Sequence, residues 1–240
     1  MRRIMSMICI LAAYCSMDTR LPAQDRASAA SRSGEPAEID ALIDRAEQAL
    51  STNGSDVSAI LSDPGYLPAH GWPRFRELIR THAKGSRITI VTPEEPGKRL
   101  RVRMRLVEAD GSASAGALVY FYHTGADGDY GPNNANVPLA GPDNNYARLF
   151  GYATTDADGA IEIQTIRPGG YPDFGAPEHI HLRIWCRDKR VFGGEIWFED
   201  DSRIDREARE EAARIKRIVI CPVAIDAQGL ASIDAGIKLD

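Results

Sequence analysis

Arginine and apolar residues alternate without interruption over Arg99–Leu106. Leu100, Val102, Met104 and Leu106 fall on one side of an extended chain, and four arginines fall on the other. Because the side chains of a β-strand alternate between its two faces, this period of two predicts a strand with one buried and one solvated face. We therefore expect a β-sheet in which this strand packs its apolar face against a hydrophobic core. The arginine row is interpreted as a solvated face or a partner contact, and a binding surface is the alternative.

Further short strands follow at regular intervals. Turns at Asp110-Gly111 and Asp158-Gly159 each lead into an apolar segment, which is a common signal for a strand after a tight turn. Strands are predicted at residues 117–123, 160–166, 178–186, 191–198 and 218–223. Short strands separated by glycine-containing turns are typical of sandwiches. The predicted fold class is therefore mainly β, an antiparallel β-sandwich with a few peripheral helices.

Helical spacing of apolar residues is limited to a few stretches. It predicts a helix over residues 37–50 and a second, short helix over residues 73–82, both of them packing elements. Ser202 is predicted to cap a charged helix that runs to about Arg217.

The N-terminus differs in character from the rest of the chain. Two arginines precede a short apolar run, a pattern typical of a secretory signal and too short to span a membrane. The predicted organisation is a signal peptide over 1–16, a flexible leader over 17–36, an N-terminal helical segment over 37–85 and the sandwich over 86–240. A periplasmic or secreted protein is expected; a merely hydrophobic start or a misplaced start codon is the alternative.

Composition excludes some classes of function. The formal net charge of −5 argues against a nucleic-acid partner, because such proteins usually carry a concentrated basic face. No apolar stretch after the first twenty residues is long enough for a membrane span. Cys186 and Cys221 would remain after removal of the signal, and whether they pair is left open.

His179-Ile180-His181 is the first sequence feature that suggests chemistry. Alternate residues of a strand share a face, so the two imidazoles lie about 7 Å apart along the strand on one side and can converge on one metal ion. Arg183 and Trp185 fall on the same face, whereas the intervening residues point into the core. A pair of hydrogen-bonded surface histidines is the alternative interpretation.

Two tyrosines lie in loops upstream of the histidines. Tyr171 ends a turn-rich segment and precedes Pro172, and a proline keeps the residue before it extended. Tyr130 lies in a loop after an aromatic strand. Taken alone, either tyrosine is more simply explained by packing.

In combination, these motifs resemble the intradiol ring-cleavage dioxygenases, the family of catechol and protocatechuate dioxygenases, over residues 100–220. Their order and spacing carry the resemblance, in the segments Val119-Tyr120-Phe121-Tyr122-His123-Thr124, Gly128-Asp129-Tyr130, Gly151-Tyr152-Ala153-Thr154-Thr155-Asp156-Ala157-Asp158-Gly159, Thr165-Ile166-Arg167-Pro168-Gly169-Gly170-Tyr171-Pro172, Pro177-Glu178-His179-Ile180-His181 and Glu195-Ile196-Trp197-Phe198. The short loop between Tyr171 and His179 is similar to that of the family's exported short-loop members.

The resemblance implies that Tyr130, Tyr171, His179 and His181 are the protein ligands of a non-haem Fe(III) ion. Phenolate and imidazole both suit that ion. Tyr171 and His181 would be axial ligands, and Tyr130 and His179 equatorial ones. Tyr171 and Tyr130 are the implied catalytic residues, with Tyr171 leaving the metal to take a proton from the substrate. The implied substrates are a catechol-like ring and O₂, and the implied product is a muconate-type diacid; a homodimer is left open.

The chain departs from the family at two positions. Ala176 stands where well-studied members carry an arginine, and Glu195 stands where a glutamine is common. Arg148 or Arg183 are candidates to replace the missing arginine. The departures keep open a catalytically impaired sandwich that binds a metal or ligand. A cupin-like site is a further alternative, but the glutamate expected shortly after the second histidine is absent from residues 183–187.

Overall fold

The computed structural model describes residues 36–52, 56–131, 147–171, 175–187 and 189–239. The predicted signal peptide and nearly all of the leader lie outside these residues. The helices and strands of the described residues, in chain order, are α1 (Ala37–Thr52), α2 (Val57–Leu61), a 3₁₀ turn (Pro64–Ala69), α3 (Pro73–His82), β1 (Arg87–Thr89), β2 (Arg99–Val107), β3 (Leu118–His123), β4 (Leu149–Thr154), β5 (Ala160–Ile166), β6 (His179–Cys186), β7 (Lys189–Phe198), α4 (Arg206–Ile215), β8 (Ile218–Cys221), β9 (Ala224–Ile225) and β10 (Ala231–Lys238).

The described strands form two five-stranded sheets, in the orders β1-β5-β2-β10-β9 and β4-β3-β6-β7-β8. This confirms the mainly β fold class. The pairing is mixed rather than purely antiparallel, because β1–β5, β2–β10 and β7–β8 are parallel. A parallel pair needs a long crossover between its strands, and α4 belongs to the crossover that joins β7 to β8.

The alternation in β2 is confirmed. Its four apolar residues are at most 2% exposed, and they share one core cluster with the inward-facing Ile180, Leu182 and Ile184 of β6. The opposite face of β2 is charged, and Arg103 binds Asp234 of β10 with distances of 2.6 and 3.0 Å. The arginine row is thus part of a charged outer face with ion pairs between strands.

Helices cover the outer face of the second sheet from two sides. On one side α3 buries Phe75 and Ile79, and the Arg76 guanidinium lies 3.7 Å from the centroid of the Phe150 ring. On the other side α4 packs on a small cluster formed by Trp197, Ile204, Ala212 and Ile218. The middle strand of this sheet, β6, carries both histidines of the His-x-His motif and lies between the parts of the sheet that α3 and α4 cover.

Some boundaries differ from those expected. The N-cap of α4 is Asp205, whose side chain accepts a hydrogen bond from the Ala208 backbone, so the prediction of Ser202 as the cap is wrong. Ser202 lies instead in a turn in which the Asp201 carboxylate accepts from the Arg203 backbone. The strands β4 and β10 were not predicted, because glycine and alanine within them weaken the strand signal.

Among the described helices, none is long and apolar enough to cross a membrane. Cys186 and Cys221 are both free thiols.

Candidate metal centre

The four predicted ligands converge on one point. His181 Nε2 lies 2.9 Å from the Tyr130 hydroxyl, 3.1 Å from the Tyr171 hydroxyl and 3.0 Å from His179 Nε2. His179 Nε2 is 3.2 Å from the Tyr171 hydroxyl, and the two tyrosine hydroxyls contact each other directly. Residues up to 51 positions apart in the sequence therefore present two phenol oxygens and two imidazole nitrogens to a common centre.

The two tyrosines reach the histidines because their loops are joined. The Gly169 backbone donates to Gly125 O at 2.8 Å, and the Thr124 hydroxyl donates to Gly169 O at 2.7 Å. A Cβ atom at Gly169 would lie 2.5 Å from Gly128 N. Only glycine permits this approach, so the motif residue Gly169 brings the loop of Tyr171 against the loop of Tyr130.

Hydrogen bonding selects the tautomer of the neutral His179 ring. Its Nδ1 lies 2.6 Å from Pro177 O, and a carbonyl oxygen can only accept. The ring proton is therefore on Nδ1, and Nε2 turns its lone pair towards the other three atoms. This is the tautomer that a metal ligand needs.

The cluster has fewer protons than contacts. Five contacts join the four atoms, but at most three protons are available, one on each phenol and one on His181 Nε2. A cation at the centre removes this deficit, because each atom then points a lone pair at positive charge. Phenolate oxygen and imidazole nitrogen together form a donor set that suits Fe(III).

The electrostatics of the cluster lead to the same conclusion. Burial, followed by the neighbouring Tyr171, raises the pKa of Tyr130 well above its usual value of 10.0. Burial, followed by His179 and Arg183, lowers the pKa of His181 far below 6.5. Without a metal, Tyr130 and His181 are therefore expected to be neutral, and a bound cation would supply the charge needed to ionise a phenol.

Glu195 lies beside the cluster. Its Oε1 is 3.4 Å from His181 Nδ1, and its Oε2 accepts from the Trp197 indole at 2.7 Å. Together with the histidines it forms a group of potential ligands within 4.8 Å of one another. The tyrosines, however, face the Nε2 side of His181, so Glu195 lies behind the ring.

The two arginines considered as replacements occupy different places. The Arg148 guanidinium binds the buried Glu95 carboxylate at 2.5 and 2.7 Å, and the Arg148 backbone donates to Tyr130 O at 2.8 Å. Arg183 is 8% exposed, on the histidine face, with its guanidinium carbon 6.0 Å from the centroids of the Tyr120 and Tyr122 rings. Arg148 thus supports the loop of Tyr130. Ala176 is buried.

Two supports were not anticipated from the sequence, the ion pair between Arg148 and Glu95 and the indole bond to Glu195. The residues of the ion pair are 53 positions apart, and no local pattern relates them. Glu195 and Trp197 are separated by one residue in a strand, so their side chains lie on one face. This spacing is the sequence signal for the contact between the Trp197 indole and Glu195.

A family model matches more than half of this chain. The family model described as "Dioxygenase" matches residues 72–232. The chlorocatechol 1,2-dioxygenase of Rhodococcus opacus is 29% identical over 154 residues, 57% of this chain and 56% of that protein. The chain therefore spans about half the length of this curated relative.

Among solved structures, the chain is similar to the dioxygenase domain of a dioxygenase–carbohydrate-binding protein fusion from Streptomyces sp. SirexAA-E. The identity is 22%, with 66% of this chain and 89% of that chain covered and a TM-score of 0.49. Catechol 1,2-dioxygenase from Pseudomonas arvilla C-1 is 20% identical, with 65% and 56% covered and a TM-score of 0.49.

Proposed function

Because this chain belongs to the intradiol ring-cleavage dioxygenase family, we propose that it uses non-haem Fe(III) to cleave a catechol-like ring with O₂. Ring opening between the two hydroxylated carbons, with both oxygen atoms incorporated, gives a muconate-type diacid. The observation that carries this proposal is the convergence of two phenols and two imidazoles with too few protons to satisfy one another.

In this proposal, Tyr130, Tyr171, His179 and His181 hold the iron. When bound, Fe(III) supplies Lewis acidity and brings both catechol oxygens and their electron-rich ring into reach of O₂. The chain orients these groups: the Pro177 carbonyl fixes the His179 ring, and the Tyr122 ring stacks on His181 with centroids 4.5 Å apart. No reductase or organic cofactor is required.

Proton transfer is assigned to Tyr171. Its hydroxyl oxygen, as a phenolate, takes a proton from a catechol hydroxyl and holds it while the ring occupies the site. Tyr171 lies in a loop, whereas the histidines lie in the middle strand of a sheet. A loop residue is better able to swing away from the metal, because fewer backbone hydrogen bonds resist the movement.

The visible spectrum of the iron-loaded protein tests this proposal. We expect a broad tyrosinate band that shifts to longer wavelength when catechol is added without oxygen, and oxygen uptake once O₂ is admitted. Tyr171→Phe should lose much of the band and at least about 100-fold in turnover, as expected for removal of a general base.

Tyr66→Phe is the matched control, because Tyr66 is buried beside Phe75 away from the site and its loss should leave the band unchanged. A protein that takes up no Fe(III) and stays colourless would contradict the proposal. A coloured protein that binds catechol but consumes no oxygen would instead identify a catalytically impaired sandwich.

A further inference from the structure

We propose that Glu195 is a positioning residue that holds the His181 ring from behind and adds negative charge to the iron site, an inference that rests on the proposed function. The Glu195 side chain is 10% exposed, and it bridges two ring systems. One carboxylate oxygen faces His181 Nδ1 at 3.4 Å, and the other accepts from Trp197 Nε1 at 2.7 Å.

The position of Glu195 separates this role from that of a ligand. The two nitrogens of an imidazole ring point in divergent directions. His181 Nε2 faces both tyrosines and His179, so a carboxylate beside Nδ1 lies on the opposite side of the ring. Glu195 pairs directly with His181 across β6 and β7, and this register puts the carboxylate beside the ring.

Trp197 holds the carboxylate in place. Trp197 is 1% exposed and packs with Ile204, Ala212 and Ile218 beneath α4. Close packing of this kind leaves a large ring with one rotamer. The indole N–H is therefore fixed in direction, and the carboxylate that accepts from it is fixed as well. The contacts connect α4 to the metal centre through Trp197, Glu195 and His181.

A carboxylate at this place changes the electronics of the histidine. When a ligand histidine has a carboxylate behind it, the ring is oriented and becomes a stronger donor, and losing such a partner typically reduces metal affinity 10- to 100-fold. A stronger, more anionic ligand set favours Fe(III) over Fe(II). Glutamine would accept from Trp197 equally well, but it brings no charge.

The test compares Glu195→Gln with the parent protein. The substitution keeps the shape and an acceptor for the indole and removes one negative charge. We expect the ratio of Fe(III) to Fe(II) affinity to fall about tenfold, which raises the one-electron potential by about 59 mV. The tyrosinate band should move to lower energy, because a more electron-poor Fe(III) accepts charge from phenolate more readily.

Three further variants separate charge from structure. Glu195→Asp keeps the charge and should retain most of the parent potential. Trp197→Phe removes the indole donor and should shift the potential less than Glu195→Gln does. Glu199→Gln removes an equal charge from an exposed residue paired with Arg209 and should leave the potential unchanged. A Glu195→Gln protein with the parent's potential and band would overturn the proposal.

Zinc affinity separates this inference from the proposed function. Zn²⁺ binds imidazole and has no redox chemistry. If the parent protein fails to bind Fe(III) but its Zn²⁺ affinity drops about tenfold in Glu195→Gln, the iron proposal fails and the positioning role of Glu195 stands. If the Zn²⁺ affinities of parent and variant are equal, the positioning role fails.

Discussion

Backbone carbonyls fix the tautomers of single histidines in this protein. His179 donates through Nδ1 to Pro177 O, and His123 donates through Nδ1 to Thr124 O and accepts from Thr165 through Nε2. A buried imidazole that donates through one nitrogen presents a lone pair at the other. In His179 the lone pair faces Tyr171 and His181 at the candidate metal centre, whereas in His123 it accepts a hydrogen bond from Thr165 in the core.

His70 and His123 predict a pH dependence of stability. Burial lowers the pKa of each from 6.5 to about 4. The unfolded chain therefore binds more protons than the folded chain below pH 6.5. The stabilisation is complete above pH 6.5 and is lost as the pH falls towards 4, with up to about 3 kcal/mol for each histidine.

Urea unfolding of the iron-free protein between pH 7 and pH 4 measures this effect. The free energy of unfolding should fall steeply with acidity, and in His70→Gln the fall should be about half as large. His82→Gln serves as the control, because His82 lies at the C-terminal end of α3 and is only half-buried. Equal unfolding free energies at pH 6.5 and pH 4.5 in the parent protein would contradict the prediction.

At the scale of elements, Arg167 ties the loop of Tyr171 to its surroundings. Its guanidinium binds Glu178, the residue before His179, at 2.5 Å and the Asp200 carboxylate at 2.8 Å through two bonds. The Glu178 backbone in turn donates to Asp201 at 2.7 Å. The end of β5, the start of β6 and the turn after β7 are thus held in one polar network.

Arg167→Gln should weaken this network. The change leaves the Glu178 and Asp200 carboxylates without their shared cation, and it should lower the free energy of unfolding by about 1–3 kcal/mol. Iron affinity should fall as well, because Tyr171 lies within the tied loop and His179 directly follows it. Chemical denaturation and iron titration measure the two effects.

Arg209→Gln is the matched control. Arg209 pairs with Glu199 at the exposed surface, and such pairs contribute less than about 1 kcal/mol. If both arginine variants lose the same small amount of stability, the network around Arg167 is an ordinary surface contact.

In the whole molecule, the proposed metal centre would join parts of the chain that are otherwise connected through the sheet. The proposed ligands lie in the loop after β3, the loop after β5 and the strand β6. A cation bound by all three stabilises the folded chain alone, because the unfolded chain cannot present four ligands together.

Iron loading should therefore raise the melting temperature. At a free iron concentration 100 times the dissociation constant, the stabilisation is about 2.7 kcal/mol, which for a chain of this size corresponds to about 5–10 °C. Calorimetry of iron-loaded and chelator-treated protein checks this, with Tyr66→Phe expected to show the full increase and Tyr130→Phe a reduced one. Identical melting temperatures with and without iron would contradict a site that links the loops.

The amino-acid sequence alone determined the features that depend on local periodicity and motif spacing. The alternation in β2 predicted its buried and charged faces, and His179-Ile180-His181 predicted two imidazoles on one side of a strand, because neighbouring residues of a strand obey its period of two. The resemblance to a family supplied Tyr130 and Tyr171, which no local pattern would have selected.

Only the tertiary structure decided the relations between distant segments. The parallel pairing of β2 with β10, the ion pair of Arg148 with Glu95 and the side of His181 on which Glu195 lies all depend on strand register and crossover path. These are set by packing energies summed over the whole core rather than by the preferences of any one segment. The sequence predicted which residues could form the centre, and the register of the sheets decided how they are supported.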